Sequence, residues 1–125
     1  MSHDPNGSTM VDAELLSHEL RSGRDVVIVD VRSTAEFREG HIPGSRLVPI
    51  EQIVARSCEL ATHRSDPIVV ASQDGARATI AAIALRLAGF DEIRVLEGGI
   101  ARWRELGLPI ERATTRSPLQ RPSGP

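Results

Sequence analysis

The stretch Val69–Thr79, VVASQDGARAT, holds the residues best placed for chemistry. An apolar, β-branched run ends at Ser72, a short loop bends at Gly75, and a helical pattern opens near Arg77. A loop of this kind can turn successive backbone N–H groups toward one point, and the dipole of the following helix adds positive potential there. The candidate site is an oxyanion cradle made of Ser72, Gln73, Asp74, Gly75, Ala76 and Arg77, although an ordinary strand-to-helix turn has the same pattern. Ser72 stands where a nucleophile would. A serine nucleophile needs a paired general base, and none adjoins it in sequence. His63 precedes the strand, and His41 lies in the turn HIPGS, where a structural role is the simpler reading.

A second marked strand end is Asp30-Val31-Arg32. The plain reading pairs Asp30 with Arg32 or has it cap the following helix. The functional one makes Asp30 orient Arg77 or a loop amide, and makes Arg32 a charge that steers anions to the mouth. Cys58 falls inside a helical stretch and reads as a small buried or half-buried residue. Trp103 shares a helical face with Ile100 and Leu106 and reads as a core anchor. Glu97-Gly98-Gly99 reads as a turn whose glycines let the chain pass close behind the loop. Arg86, Arg94, Arg102 and Arg104 read as a solvated face that could dock an acidic partner.

Strands alternating with helices must position these groups. Asp12 can cap a helix presenting Ala13, Leu16 and Leu20 and stopping at Gly23. Val26–Asp30 is a continuous apolar run, as expected for a parallel strand covered on both faces. Ser33 and Glu36 have capping-box spacing for a short helix that ends at Gly40. A short strand follows around Leu47 and Val48, then a helix over Ile50–Thr62 entered at Pro49. Ile68–Ala71 is the next buried strand, and Arg77–Ala88 a helix whose buried face is Ile80, Ile83, Ala84 and Leu87. Ile93–Leu96 is a strand, and Ile100–Leu106 a helix closed by Gly107 and Pro109. The alternation predicts an α/β fold with a mainly parallel sheet, and ligands in such folds sit outside the carboxyl ends of the strands.

The 125-residue length fits one domain with a modest core that Val, Ile, Leu and Ala must fill, since aromatics are only 2%. Residues 1–10 and 112–125 are polar and rich in Ser, Pro and Gly, and are expected to be flexible around a domain at 11–111. A formal net charge of -2 without a clustered basic face speaks against nucleic acid. The single cysteine excludes an internal disulfide framework. The N-terminus lacks the apolar run of a secretory signal, and no stretch is long enough to span a bilayer. A cytoplasmic protein with no membrane partner is the expectation. No metal or cofactor is implied.

VDVRSTAEFREGHIPGS (Val29–Ser45) and VLEGGIARWRELGLPI (Val95–Ile110) resemble the rhodanese family, in which a D-V-R strand end precedes E-F or E-Y and then G-H-I-P-G-A, and E-G-G-x-x-x-W precedes a G-L-P-V close. The likeness runs from about Val11 to Ile110. It implies a five-stranded parallel sheet with helices on both faces. It also implies an active loop C-x-x-G-x-R, in which a cysteine thiolate takes a sulfane sulfur from a donor such as thiosulfate. The resulting persulfide is held by loop amides and passed to a thiophilic acceptor. On this sequence Ser72 takes the cysteine position, Gly75 the glycine and Arg77 the arginine. Phosphatases on this fold use a loop one residue longer.

Ser72 departs from that pattern. A thiol with a pKa of ~8.5 can be brought to a physiological thiolate by a helix N-terminus and nearby donors. A hydroxyl lies beyond that reach and cannot hold a sulfane sulfur. Asp74 adds a negative charge to a cradle meant for an anion, which should weaken thiosulfate binding unless Arg77 or another donor neutralises it. The expectation is a rhodanese-like protein without sulfurtransferase activity. It would bind a small anion (thiosulfate, sulfate or phosphate-like) or a protein, as a regulatory module. The alternative is a thiosulfate or persulfide sulfurtransferase in which Ser72 was introduced in place of the cysteine. Hydrolytic or phosphoryl chemistry at Ser72 is a third reading.

Overall fold

The structure is a computed structural model that describes residues 10–63 and 65–113. Five parallel strands, β1 (Met10–Val11), β2 (Val27–Asp30), β3 (Arg46–Leu47), β4 (Ile68–Ala71) and β5 (Ile93–Leu96), form one sheet in the order β1-β5-β4-β2-β3. Four helices accompany them: α1 (Ala13–Arg21), α2 (Thr34–Glu39), α3 (Ala76–Leu87) and α4 (Gly99–Glu105). Apart from Met10, Arg112 and Ala113, the segments expected to be flexible lie outside the described residues, and Met10 already pairs with Val95 in β1.

The central strand β4 is buried at every position, Ile68 to Ala71, as its unbroken apolar run requires of a strand covered on both faces. Its alternating side chains feed two cores. Ile68 and Val70 join Val29, Ala78, Ala81, Leu85 and Leu60 beneath α3 and the 50–63 segment. Val69 and Ala71 join Leu16, Ile42, Leu96, Ile100 and Trp103 beneath α1 and α4. Trp103 is 1% exposed and donates from Nε1 to the Pro109 carbonyl at 2.7 Å, which fixes the chain after α4.

The local stop and start signals act as their residue types dictate. Asp12 Oδ1 accepts from the Leu15 amide at 2.8 Å, capping α1. Ser33 and Glu36 form the reciprocal capping box on α2. Among the described residues no helix is long and apolar enough to cross a membrane.

Three expectations are corrected. The 50–62 segment is helical only as two 3₁₀ stretches, Ile50–Gln52 and Ser57–His63, and not as one continuous helix. Only Ile53 and Leu60 are buried between residues 50 and 60, so no continuous apolar stripe presses it onto the core. The Ser57 hydroxyl also bonds the Val54 carbonyl, competing with a regular ladder. Cys58 on this segment is exposed rather than buried. The buried face of α3 is Ala78, Ala81, Ala82 and Leu85, while Ile80, Ile83 and Leu87 are 62%, 52% and 84% exposed. The sheet selects the alanine face because small side chains let the helix axis approach β4 and β5.

Candidate functional site

The loop Ser72–Gly75 leaves the carboxyl end of β4 and enters α3. Gly75 caps the helix with φ +104, a left-handed conformation that side-chain-bearing residues rarely adopt. The turn brings two backbone donors onto one atom. Ser72 Oγ accepts from the Gly75 amide at 3.0 Å and from the Ala78 amide at 3.2 Å. Ser72 is 1% exposed. The Ala78 donor was not read from the sequence, because an amide carries no residue-type signal. Counting from the helix start would have found it, since the first four amides of a helix lack intrahelical acceptors.

With both N–H bonds made to Ser72 Oγ, the hydroxyl still has its own proton to donate, and it meets no acceptor among the described residues. The amides of Gln73, Asp74 and Arg77 likewise donate to nothing among the described residues. The Ala76 amide is occupied: Asp74 Oδ1 accepts it at 3.0 Å. The exposed Asp74 carboxylate therefore sits on the amino end of α3, where a bound anion would compete with it.

The loop is anchored from behind by α4. The Ile100 and Ala101 amides donate to the Ser72 and Gln73 carbonyls at 2.9 and 3.0 Å. Two helix amino ends thus meet the same loop, one through its carbonyls and one through its amides. A β-carbon on Gly99 would lie 2.5 Å from both of those carbonyl oxygens, so the Gly98-Gly99 turn does pass close behind the loop.

Arg77 is half exposed and lies 3.9 Å from Glu36 Oε1, linking the start of α3 to the start of α2. The Ser33 amide, followed by the Ser33 hydroxyl and the Arg32 and Arg77 charges, holds Glu36 below the usual carboxylate range. Glu36 was read as a capping residue only, and its approach to Arg77 had no sequence signal because it depends on the packing of two helices.

Asp30 and Arg32 are brought to each other and not to the loop side chains. The Arg32 guanidinium makes a two-pronged contact with Asp30, Nη2 to Oδ2 at 2.8 Å and Nε to Oδ1 at 3.0 Å, and Nη2 also donates to the Gly40 carbonyl at 2.8 Å. Both residues are at most 2% exposed, so Arg32 presents no charge at the mouth, and Asp30 neither contacts Arg77 nor accepts a loop amide. His41 stacks on Phe37 at 3.7 Å between ring centroids and donates from Nδ1 to the Phe37 carbonyl, a structural use of the ring. The four arginines read as one solvated face are separately engaged. Arg94 pairs with Glu19, Arg102 with Glu105, Arg86 with the Ile93 carbonyl and Arg104 with the Glu39 carbonyl. Among the described residues no group of His, Cys, Asp and Glu could hold a metal ion.

Comparison with known proteins places this geometry in context. Residues 12–106 match the Rhodanese-like domain family. A sulfurtransferase of Allochromatium vinosum is 36% identical over 100 residues, covering 80% of this chain and 92% of that one. An HTH-type transcriptional regulator of Mycobacterium tuberculosis is 38% identical over 101 residues, which is 79% of this chain but 42% of the regulator. The solution structure of a rhodanese-like domain from Anabaena superposes with a TM-score of 0.78 at 32% identity, covering 94% of this chain and 87% of that domain.

Proposed function

The chain belongs to the rhodanese-like domain family, and from that premise we propose that it is an anion-recognising regulatory module that does not transfer sulfur. The observation that carries this reading is the state of Ser72 Oγ, which is buried and already accepts two amides. In a cysteine loop the same pair of N–H groups would favour a thiolate. Here they hold a neutral hydroxyl, whose remaining capacity is to donate. A donor set made of the Ser72 O–H and the free amides of Gln73, Asp74 and Arg77 suits the oxygens of sulfate, phosphate or the oxygen face of thiosulfate. It supplies no sulfur atom on which a persulfide could form. Among the described residues no base accepts the hydroxyl proton: His41 Nδ1 donates to the Phe37 carbonyl, and Asp30 pairs with Arg32.

Asp74 makes the recognition weak when empty and responsive to ligand charge, a property suited to sensing. The occurrence of a similar segment inside a transcriptional regulator supports a regulatory role, in which a protein partner reads the occupied loop. The partner and the cytoplasmic setting belong to this proposal.

The second reading, a sulfurtransferase whose cysteine has been exchanged for Ser72, is favoured by the intact convergence of Gly75 and Ala78 amides on the γ atom of position 72. One experiment separates them. Thiosulfate-to-cyanide transfer is measured on this chain and on Ser72→Cys, and sulfate is titrated into the ¹⁵N-labelled chain at low ionic strength. The module reading expects no thiocyanate from this chain and saturable shifts of the Gln73, Asp74 and Arg77 amides. Thiocyanate from the serine form, or no sulfate response, would sink it. Turnover by Ser72→Cys with none by Ser72 would show the loop competent and favour the exchange reading.

A further inference from the structure

A second cleft lies away from the loop, between α1, the turn after His41, and α4. Its floor is Ser17, Ile42 and Trp103, and its rim is Leu20, Arg21, Pro43 and Pro109; its volume is about 440 Å³. That size falls within the roughly 300–1,000 Å³ of small-molecule sites. The walls are apolar except for two side chains, and those two are connected. Arg21 Nη1 donates to Ser17 Oγ at 3.3 Å, one helical turn back.

Ser17 is 4% exposed, and its hydroxyl proton meets no acceptor among the described residues, including the helix carbonyl below it. A buried hydroxyl without an acceptor is costly, and this one lines a cavity. Two carbonyls of lining residues already accept hydrogen bonds. The Pro109 carbonyl takes the Trp103 indole N–H, and the Ile42 carbonyl takes the Ser45 amide and hydroxyl. Pro43 and Pro109 bring no N–H of their own. The side-chain polar groups facing the cleft thus offer a hydroxyl proton and a guanidinium with a permanent positive charge, and no carboxylate.

We propose that this cleft binds a small amphiphilic monocarboxylate, its apolar body against Ile42, Trp103, Leu20 and the two prolines and its carboxylate between the Arg21 guanidinium and the Ser17 hydroxyl. A neutral apolar ligand would give the Ser17 proton no acceptor and the Arg21 charge no counterion. A dianion would bring more charge than one half-solvated arginine can match. The inference does not depend on the reading of the Ser72 loop.

The sequence contains one tryptophan, and it forms the cleft floor, so its emission reports occupancy directly. The full chain is titrated with sodium octanoate and with octan-1-ol, following Trp103 fluorescence and ¹⁵N shifts. Saturable binding of octanoate is expected, about tenfold tighter than octanol because only the carboxylate completes a charge-assisted pair. Arg21→Gln, at an exposed rim position, should erase that preference. Ser17→Ala should weaken octanoate a few-fold while the Trp103 emission of the empty protein stays the same. Shifts confined to residues 72–77, equal affinities for the two probes, an unaltered preference in Arg21→Gln, or no saturable response would each overturn the proposal.

Discussion

Gly99 stands directly behind Ser72: a β-carbon on Gly99 would lie 2.5 Å from the Ser72 carbonyl oxygen, and Gly99 itself has φ +63. The contact lets the Ile100 amide reach that carbonyl at 2.9 Å. The start of α4 and the candidate site are thus one structural unit.

Gly99→Ala is expected to damage both. The left-handed conformation costs a residue with a β-carbon about 1–2 kcal/mol. The clash is with backbone oxygens that cannot rotate away, so α4 must move. A total loss of about 2–4 kcal/mol is expected from urea unfolding, together with loss of the sulfate-induced amide shifts at Gln73 and Arg77. Full retention of those shifts would show that the loop keeps its shape without α4.

Asp74 and the Ala76 amide set the anion affinity of the loop. The carboxylate already occupies the amino end of α3, accepting from Ala76 at 3.0 Å. Asp74→Asn keeps an oxygen for that bond and removes the charge. Sulfate affinity should rise about two- to fivefold, the size of one charge at a helix terminus. The gain should shrink with added salt, as screening lowers the repulsion between exposed charges. Calorimetric titration at two chloride concentrations checks both statements; equal affinities for the two proteins at low salt would remove Asp74 from the account.

The features legible in the sequence were those set by local chemistry. The Asp12 cap, the Ser33–Glu36 capping box and the apolar runs of β2, β4 and β5 depend on neighbours within a few positions, and each formed. The loop was legible because Ser72, Gly75 and the helix start are contiguous. What depended on packing was not. The Asp30–Arg32 pair was legible as two neighbouring opposite charges, but the Gly40 carbonyl that completes the Arg32 hydrogen bonds lies eight residues away and carried no signal. The two-residue strand β1 is too short to show a period, and it exists by pairing with β5.

Glu19 and Arg94 couple α1 to β5, with contacts of 2.7 and 2.9 Å and both side chains mostly buried. The hydrogen bond from Arg94, together with its charge, holds the Glu19 carboxyl below its ordinary value against the opposing effect of burial. A carboxyl with a lowered folded pKa adds stability that is fully present above its unfolded value, ~4.3, and is lost as pH falls through the folded one. Glu19→Gln should cost about 1–2 kcal/mol at pH 7. The gap to the parent chain should narrow steadily below about pH 4.5. Chemical unfolding at a series of pH values checks this, and a gap that does not change with pH would assign the pair no role in acid unfolding.

The face of α3 gives the sharpest contrast between pattern and packing. Ile80, Ile83 and Leu87 repeat at helical spacing, yet the residues against the sheet are Ala78, Ala81, Ala82 and Leu85. Hydrophobicity alone favours the isoleucines inside, but the close approach of α3 to β4 and β5 leaves room for little more than methyl groups at Ala78, Ala81 and Ala82, with Leu85 the one larger side chain on that face. Ile83→Glu is therefore expected to change stability by no more than about 0.5 kcal/mol, as for an exposed position. Ala81→Leu should cost about 1–3 kcal/mol through overpacking. Thermal unfolding of the two variants reads the difference directly. The reverse order, a severe loss for Ile83→Glu and tolerance of Ala81→Leu, would mean that α3 packs by its larger side chains.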